Sequence, residues 1–463
     1  MARIETAQVV ASFERALDSI LARVSVSAPD SWPKSIAVAY SGGLDSSVLL
    51  HLAHAYVLRR DIRLAAFHVH HGLSPNADDW LAHCEHECIR LAINFDVRRV
   101  NLARDDGNGL EAAARIARYA ALGEMCRAHR VPFLLTAHHQ DDQVETVLLQ
   151  MLRGAGLAGI SGMSDASLAP DLLGDAQTRI VRPLLGLTRV VLADYALASD
   201  IGHIEDESNA DVRHPRNALR NDLWPLLQTH FPAFRECLAR SAQHAQSAQR
   251  LLDELAAQDL VLCAQGDELI AERVSGLGAD RADNLLRHWL ALKGLRMPSS
   301  AWLHEARAQL LNACADAQVC VTLDGVDVRR YRNRIMLTAS RMTDKPAPVP
   351  FCWVGEASRS FPALNGVLYF DVADGGFAPD WLRAQPLSLE CHQGGGRLKL
   401  VQNQPNKGLK GLYQERGIPA WERRRLPLVY AGAALLFAAG IGQDCRFPQA
   451  ADGIVLRWER DAA

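Results

Sequence analysis

The stretch SIAVAYSGGLDSSVLL, Ser35 to Leu50, limits the fold more than any other part of the chain. An apolar run of the kind that fills a buried parallel strand breaks at Ser41-Gly42-Gly43 and resumes with helical spacing at Leu44, Val48 and Leu49. Strand, glycine turn and helix start, in that order, aim backbone N–H groups and the positive end of a helix at a bound anion, usually a phosphate. The lysine of the common phosphate loop, G-x-x-x-x-G-K-[ST], is missing, and the next polar residue is Asp45. A carboxylate beside phosphates makes sense when a cation lies between them.

The surroundings repeat this unit. SIAVAY, RLAAFHVH, DVRRVNL, PFLLTAHH and RIVRPLL are each followed by a helical pattern, over Leu44 to Arg59, Asp78 to Ile93, Leu110 to His129, Asp141 to Leu152 and Arg189 to Ser199. Repeated strand–helix units predict an α/β fold, a parallel sheet covered by helices on both faces. Ligands of such sheets bind at the carboxyl ends of the strands, near a switch in strand order. From about Asn217 to Leu311 the pattern turns helical, and VCVTLDGVDVRRYRNRIMLT then alternates around Asp324-Gly325 as a hairpin does. The proline-rich TDKPAPVPF, Thr343 to Phe351, reads as a stiff linker to a small α+β domain. A chain of 463 residues accommodates these as three domains, residues 1–215, 216–342 and 351–463.

Composition excludes several classes. With 49% hydrophobic and 22% charged residues, and no apolar run near the ~20 residues of a membrane span, no membrane partner is expected. Ten cysteines without a single C-x-x-C suit free thiols in a reduced cytoplasm. The net charge of −3 gives no global reason to bind nucleic acid. Arg397 to Arg425, however, holds eight basic residues against two acidic ones, a candidate phosphate-backbone footprint.

TAHHQDDQVETVLLQ stands at the end of the fourth strand-like run. On a helix starting near Gln140, Asp141, Asp142 and Glu145 are three and four apart and converge. Three carboxylates near a triphosphate repel it unless cations intervene, Mg²⁺ first and a substrate ammonium second.

SGGLDS resembles the signature of the PP-loop (N-type) ATP pyrophosphatases, which adenylate an acceptor and release pyrophosphate. HVHHGL, HHQDDQVET, GLEAAARIARYAAL, DESNADVRHPRNALRNDLWPLL and KGLKGLYQERGIPAWERRRLPLVYAG are similar to segments of the tRNA(Ile)-lysidine synthetases within that superfamily. Two positions depart from the family pattern: His70 stands where asparagine is usual, and Pro215 precedes R-N-x-x-R where an aromatic residue is expected. The absence of C-x-x-C speaks against the related tRNA thiolases.

The resemblance implies an adenine nucleotide alpha-hydrolase-like catalytic domain, a helical tRNA-binding domain and a C-terminal tRNA-recognition domain. ATP would activate the wobble cytidine of the tRNA(Ile) that bears a CAU anticodon, and L-lysine would displace AMP. Ser41, Gly42, Gly43, Leu44, Asp45, Ser46, Arg115, Arg118 and His138 are then expected at ATP, with Mg²⁺ on Asp45. Asp141, Asp142 and Glu145 are expected at lysine and in catalysis. Arg216, Arg220, Lys407, Lys410, Arg423, Arg424 and Arg425 are expected at tRNA, and a homodimer is compatible with this reading. Cys84 and Cys88 of HCEHEC share a helix face and are expected in a core rather than at a metal, and packing is the favoured role of Trp302 and Trp421. His68, His70 and His71 end the second strand, where ligands bind.

Overall fold

The computed structural model describes residues 6–24, 33–72, 74–100, 110–205, 215–313, 319–340, 347–391 and 395–460. The chain divides into two compact units, Met1–Glu254 and Leu255–Ala463.

In the first unit α1 (Thr6–Val24) leads to β1 (Ser35–Ala39), α2 (Leu44–Val57), β2 (Arg63–His70), α3 (Ala77–Arg90), β3 (Asn94–Arg99), α4 (Leu110–His129), β4 (Phe133–Leu135) and α5 (Gln140–Leu152). The short α6 (Leu157–Ile160), β5 (Ala166–Leu168), α7 (Pro170–Leu173) and β6 (Arg179–Val181) come next, followed by α8 (Arg189–Ala198). The sheet order is β3-β2-β1-β4-β6-β5, parallel except for the edge strand β5. All five sequence-predicted strands and the helices between them are present.

The reason is visible in β1. Ile36 and Val38 enter one core with α1, α2, α3 and α8, while Ala37 enters another with Tyr119, Leu122, Met125 and Cys126 of α4. A strand covered on both faces must be apolar throughout, so its run shows plainly in sequence. Cys84 and Cys88 are fully buried in the first core, as their spacing suggested. Strand order reverses between β1 and β4, which opens a crevice at their carboxyl ends.

Glu87 of α3 is buried against that core and tied to protein cations. Arg90 donates to both its oxygens (2.6 and 2.9 Å), and His51 Nε2 lies 2.7 Å away. The Arg90 hydrogen bond holds the carboxyl down at about 2, against burial, which alone would raise it. A depressed folded-state pKa contributes stability above the ordinary carboxylate pKa and loses it as pH falls towards the folded value. The urea midpoint of Glu87→Gln is therefore expected below wild type at pH 7, with the gap narrowing as pH falls from about 4.5 towards 2. A gap that holds constant across this range would show that Glu87 acts through packing alone.

The chain continues through α9 (Pro215–Ala218), a π-helical turn (Leu219–Leu223), α10 (Trp224–His230) and α11 (Phe234–Cys263), within which the first unit ends at Glu254. The π turn precedes Pro225, which lacks the N–H that an uninterrupted α-helix would use.

In the second unit β7 (Ala264–Gln265), β8 (Glu268–Ile270), β9 (Val319–Leu323), β10 (Val326–Tyr331) and β11 (Arg334–Ala339) form an antiparallel sheet in the order β7-β8-β11-β10-β9. It packs on α12 (Ala271–Gly276), α13 (Ala279–Leu292) and α14 (Ser300–Asn312) through Leu269, Leu286, Trp289, Leu303, Val328 and Ile335. The Asp324-Gly325 hairpin forms as read, both residues having positive φ. What the sequence did not announce is that the hairpin grows into five strands, because β7 and β8 are too short to show periodicity. Trp302 caps this core and donates to the Thr322 carbonyl (3.1 Å). Trp421 packs edge-on to Tyr331, with Arg329 over its ring, so both tryptophans are packing residues.

Residues 347–460 of the second unit contain two further five-stranded antiparallel sheets around Phe351, Trp353, Phe370, Phe377, Leu389, Val429, Phe437 and Leu456. No helix among the described residues is long and apolar enough to cross a membrane.

Candidate active site

The glycine turn is built by its own short side chains. Ser46 Oγ accepts from the Ser41 N–H (3.3 Å) and donates to the Gly43 carbonyl (3.0 Å), and Ser47 Oγ donates to the Gly42 carbonyl (3.2 Å). Ser41 Oγ lies 3.0 Å from Ser46 Oγ. Gly42 has φ +84°, and a Cβ there would meet Ile204 Cδ1 at 2.6 Å and Cys84 Sγ at 2.9 Å. Any side chain is strained at this left-handed φ, and the Ile204 N–H donates to the Gly42 carbonyl (2.9 Å). Gly43 is the extended N-cap of α2, and Leu44 opens the helix. The turn therefore presents a helix N-terminus at the crevice.

Asp45 sits one residue into α2, 30% exposed. Its Oδ2 lies 3.6 Å from His139 Nε2 and 3.9 Å from Arg189 Nε. Its Oδ1 is buried with no hydrogen-bond partner. Burial alone would raise this carboxyl, but the His139, Arg189 and Arg220 charges outweigh it and hold the pKa low, so the group is anionic. Among the described residues no three acidic, His or Cys side chains form a metal cage. A single orphaned carboxylate oxygen beside an anion-binding turn fits Mg²⁺, which is commonly held by one or two carboxylates together with substrate phosphates.

His139 ends the β4 segment and caps α5. Its Nδ1 accepts from the Asp142 N–H (3.4 Å) and Asp142 Oδ2 accepts from the His139 N–H (3.1 Å), a reciprocal capping box. The imidazole is buried, which would lower its pKa, but Asp45, Asp142 and Asp141 outweigh that and hold it above the ordinary value. His139 thus joins the glycine-turn side of the crevice to the acidic side. His138 is the opposite case: burial, then the charges of Arg182, Arg115 and Arg216, push it down to about 3. Thr136 Oγ1 meets its Nδ1 at 2.9 Å. His71 falls to about 4 through burial and then Arg118, while His68 donates to the Tyr40 carbonyl (2.9 Å). Both neutral imidazoles mark a crevice wall under cationic field.

Asp142 and Glu145 converge on Arg220, while Asp141 has partners of its own. Asp141 Oδ1 accepts from Arg235 Nε (2.8 Å) and its Oδ2 from the Arg189 N–H (2.7 Å). Asp141 is buried, and its two oxygens tie α5 to α11 and to the start of α8. Glu145 is fully buried and bonded by Arg220 Nε and Nη2, and Arg220 Nη2 also reaches Asp142 Oδ1 (2.9 Å). Arg220, expected at ATP phosphates or the tRNA backbone, reaches the acidic cluster from the π turn. Arg115 lies over the Tyr119 ring, Arg118 and Arg216 are exposed, and the Asp206 to His214 segment and Leu73 lie outside the described residues.

The sequence reading missed Arg189, Arg235 and Arg182. Thr188, an N-cap before Arg189, was the one local signal available. In the second unit Lys410 and Arg424 are exposed, Arg425 is half-buried and Lys407 pairs with Glu415 (2.9 Å). Arg423 is buried and donates to the Ile418 carbonyl (2.8 Å), so it holds a turn.

A parallel sheet with a glycine turn, a buried carboxylate and an acidic helix start at its switch point defines the PP-loop class of ATP-binding proteins, and residues 11–227 match the PP-loop domain model. Residues 269–336 match the TilS substrate binding domain and residues 387–458 the TilS substrate C-terminal domain. The chain is 44% identical to the tRNA(Ile)-lysidine synthase of Ralstonia nicotianae over 89% of each chain. It is 41% identical to that of Burkholderia pseudomallei over 93% of each chain, and 42% identical to that of Alkalilimnicola ehrlichii over 89% of this chain and 90% of the relative. The chain belongs to the tRNA(Ile)-lysidine synthase family and is an enzyme of that type.

Proposed function

We propose that the protein ligates free L-lysine to C2 of the wobble cytidine in the CAU anticodon of the minor tRNA(Ile), by way of an adenylated cytidine. The cytidine O2 attacks the α-phosphate of ATP and pyrophosphate leaves; the lysine ε-amine then adds at C2, sheds a proton, and AMP leaves with the O2 oxygen. Lysidine pairs with A instead of G, so codon reading and charging change from methionine to isoleucine. One observation carries this reading: His139 ties the carboxylate at the glycine turn to the acidic α5 start, so the phosphate-binding and cation-binding sides form a single crevice. Family membership over nearly the full length supports it.

In this reading the turn of Ser41, Gly42, Gly43, Leu44 and Ser46 receives the pyrophosphate end of ATP, and Arg115, Arg118 and neutral His138 line the approach. Asp45 would hold Mg²⁺, which would supply charge neutralisation on the leaving group. Asp142 and Glu145 draw the lysine ammonium once ATP phosphates compete for Arg220. Residues 1–215 carry the chemistry, and 216–342 and 351–463 hold the tRNA, with Arg216, Lys407, Lys410, Arg424 and Arg425 at phosphates. Every described cysteine is a free thiol, which suits work in the cytoplasm.

The test mixes protein, Mg²⁺-ATP and labelled lysine with unmodified transcripts of the minor isoleucine tRNA and of methionine tRNA. Base-stable label is expected on the isoleucine transcript alone. Pyrophosphate release without label would move the acceptor elsewhere and overturn the proposal.

A further inference from the structure

A cavity among the C-terminal sheets lies apart from the active site. It has a volume of about 570 Å³ and is lined by Arg397, Tyr430, Arg446 and Phe447, with Gly396 and Leu435 beneath. That volume falls within the roughly 300–1,000 Å³ of small-ligand sites.

The lining is held in place by the protein. Asp444, fully buried, accepts from Arg446 Nε (2.9 Å) and Nη2 (2.6 Å), and also from the backbone N–H groups of Lys399 (3.3 Å) and Arg446 (2.9 Å). The guanidinium is thereby fixed, and its Nη1 makes no hydrogen bond among the described residues. Phe447 is fixed by stacking on Trp381, ring centroids 5.3 Å apart at 24°. Tyr430 sits at a register irregularity between Val429 and Tyr430, a device that re-aims a side chain out of a regular ladder. Exposed Arg397 donates to the Asn406 carbonyl (2.6 Å).

Arg446 is matched in charge by Asp444, and Arg397 has no carboxylate partner among the described residues, which leaves one positive charge for a phosphate. Guanidinium forks fit phosphate oxygens, and tyrosine faces stack on bases. A base inside a duplex offers no free face for this, so the ligand must be unpaired. Of the unpaired parts of a tRNA, the anticodon goes to the adenylating crevice and the other loops fold on one another, which leaves the 3′ tail. We propose that this cavity receives one unpaired nucleotide of the tRNA 3′ tail, phosphate on Arg397 and Arg446 and base on Tyr430. The inference rests on the tRNA-ligase reading above.

The experiment measures equilibrium affinity of the full chain, at matched salt, for the minor isoleucine transcript and for the same transcript without its unpaired 3′ nucleotides. Wild type is expected to lose about tenfold on removal of the tail. Tyr430→Ala should lose about as much on the intact transcript and nothing further on the shortened one, while Tyr430→Phe behaves as wild type. Arg397→Gln should lower the salt slope by about one, and only when the tail is present. Equal losses on both transcripts for Arg397→Gln, or a wild type indifferent to the tail, would overturn the proposal. Lysine incorporation separates the two readings: a wild type that labels no tRNA sinks the ligase reading, whereas normal labelling with tail-independent losses sinks only the cavity.

Discussion

Replacing Asp45 with asparagine is expected to cut pyrophosphate release by about a thousandfold or more and to leave tRNA affinity unchanged. The substitution keeps the shape of the side chain and removes only its charge. That charge is what the site is arranged around: Oδ1 is buried with no protein partner, and the neighbouring His139 and Arg189 hold the group anionic. A buried acceptor without a donor is normally costly, so its retention points to a ligand that completes it. In the proposed reading Asp45 acts at ATP and not at the tRNA backbone, so RNA binding should not register the change. Pyrophosphate release in the presence of the minor isoleucine transcript, with tRNA affinity measured in parallel, checks both halves. Retained turnover would remove Asp45 from the chemistry.

Arg220→Ala is expected to destabilise the first unit by about 3–5 kcal/mol at pH 7, because it strands Glu145 in a fully buried position. Burial raises the Glu145 pKa even with Arg220 in place. Without the guanidinium the carboxyl must either stay charged at high cost or take up a proton. A folded-state pKa above the ordinary carboxylate value gives a penalty at neutral pH that is relieved as pH falls through the raised value. Urea midpoints at pH 7 and pH 5 should therefore show the Arg220→Ala deficit shrinking on acidification. The pair Arg220→Met with Glu145→Leu should recover most of the stability while remaining inactive, since apolar replacement removes both charges together. A double variant as unstable as the single one would show that Arg220 acts through something other than Glu145.

These two residues differ in how far the sequence revealed them. Asp45 stands inside one contiguous strand–turn–helix, and everything that places it is within a few residues. The same holds for Gly42, which the turn demands, and for the convergence of Asp142 and Glu145 on one helix face. Arg220 shows only as a basic residue in a helical segment, and charge alone suggested RNA. Its partners lie 75 and 78 residues earlier. Arg235 meets Asp141 across 94 residues, and the Arg189 N–H meets it across 48. Arg423 was read as one of three adjacent arginines, yet the turn at Ile418 buries it and leaves Arg424 exposed. Nothing local distinguishes the two.

The sequence by itself determined the elements and their order in the first unit, because strands covered on both faces must be apolar throughout and the helices between them must be amphipathic. It also determined which residues stand at the strand ends, since turn glycines and helix starts are local chemistry. Only the tertiary structure decided which carboxylates remain available to a ligand. That depends on which distant arginines reach them, and pairing across 48 to 94 residues leaves no trace in local spacing.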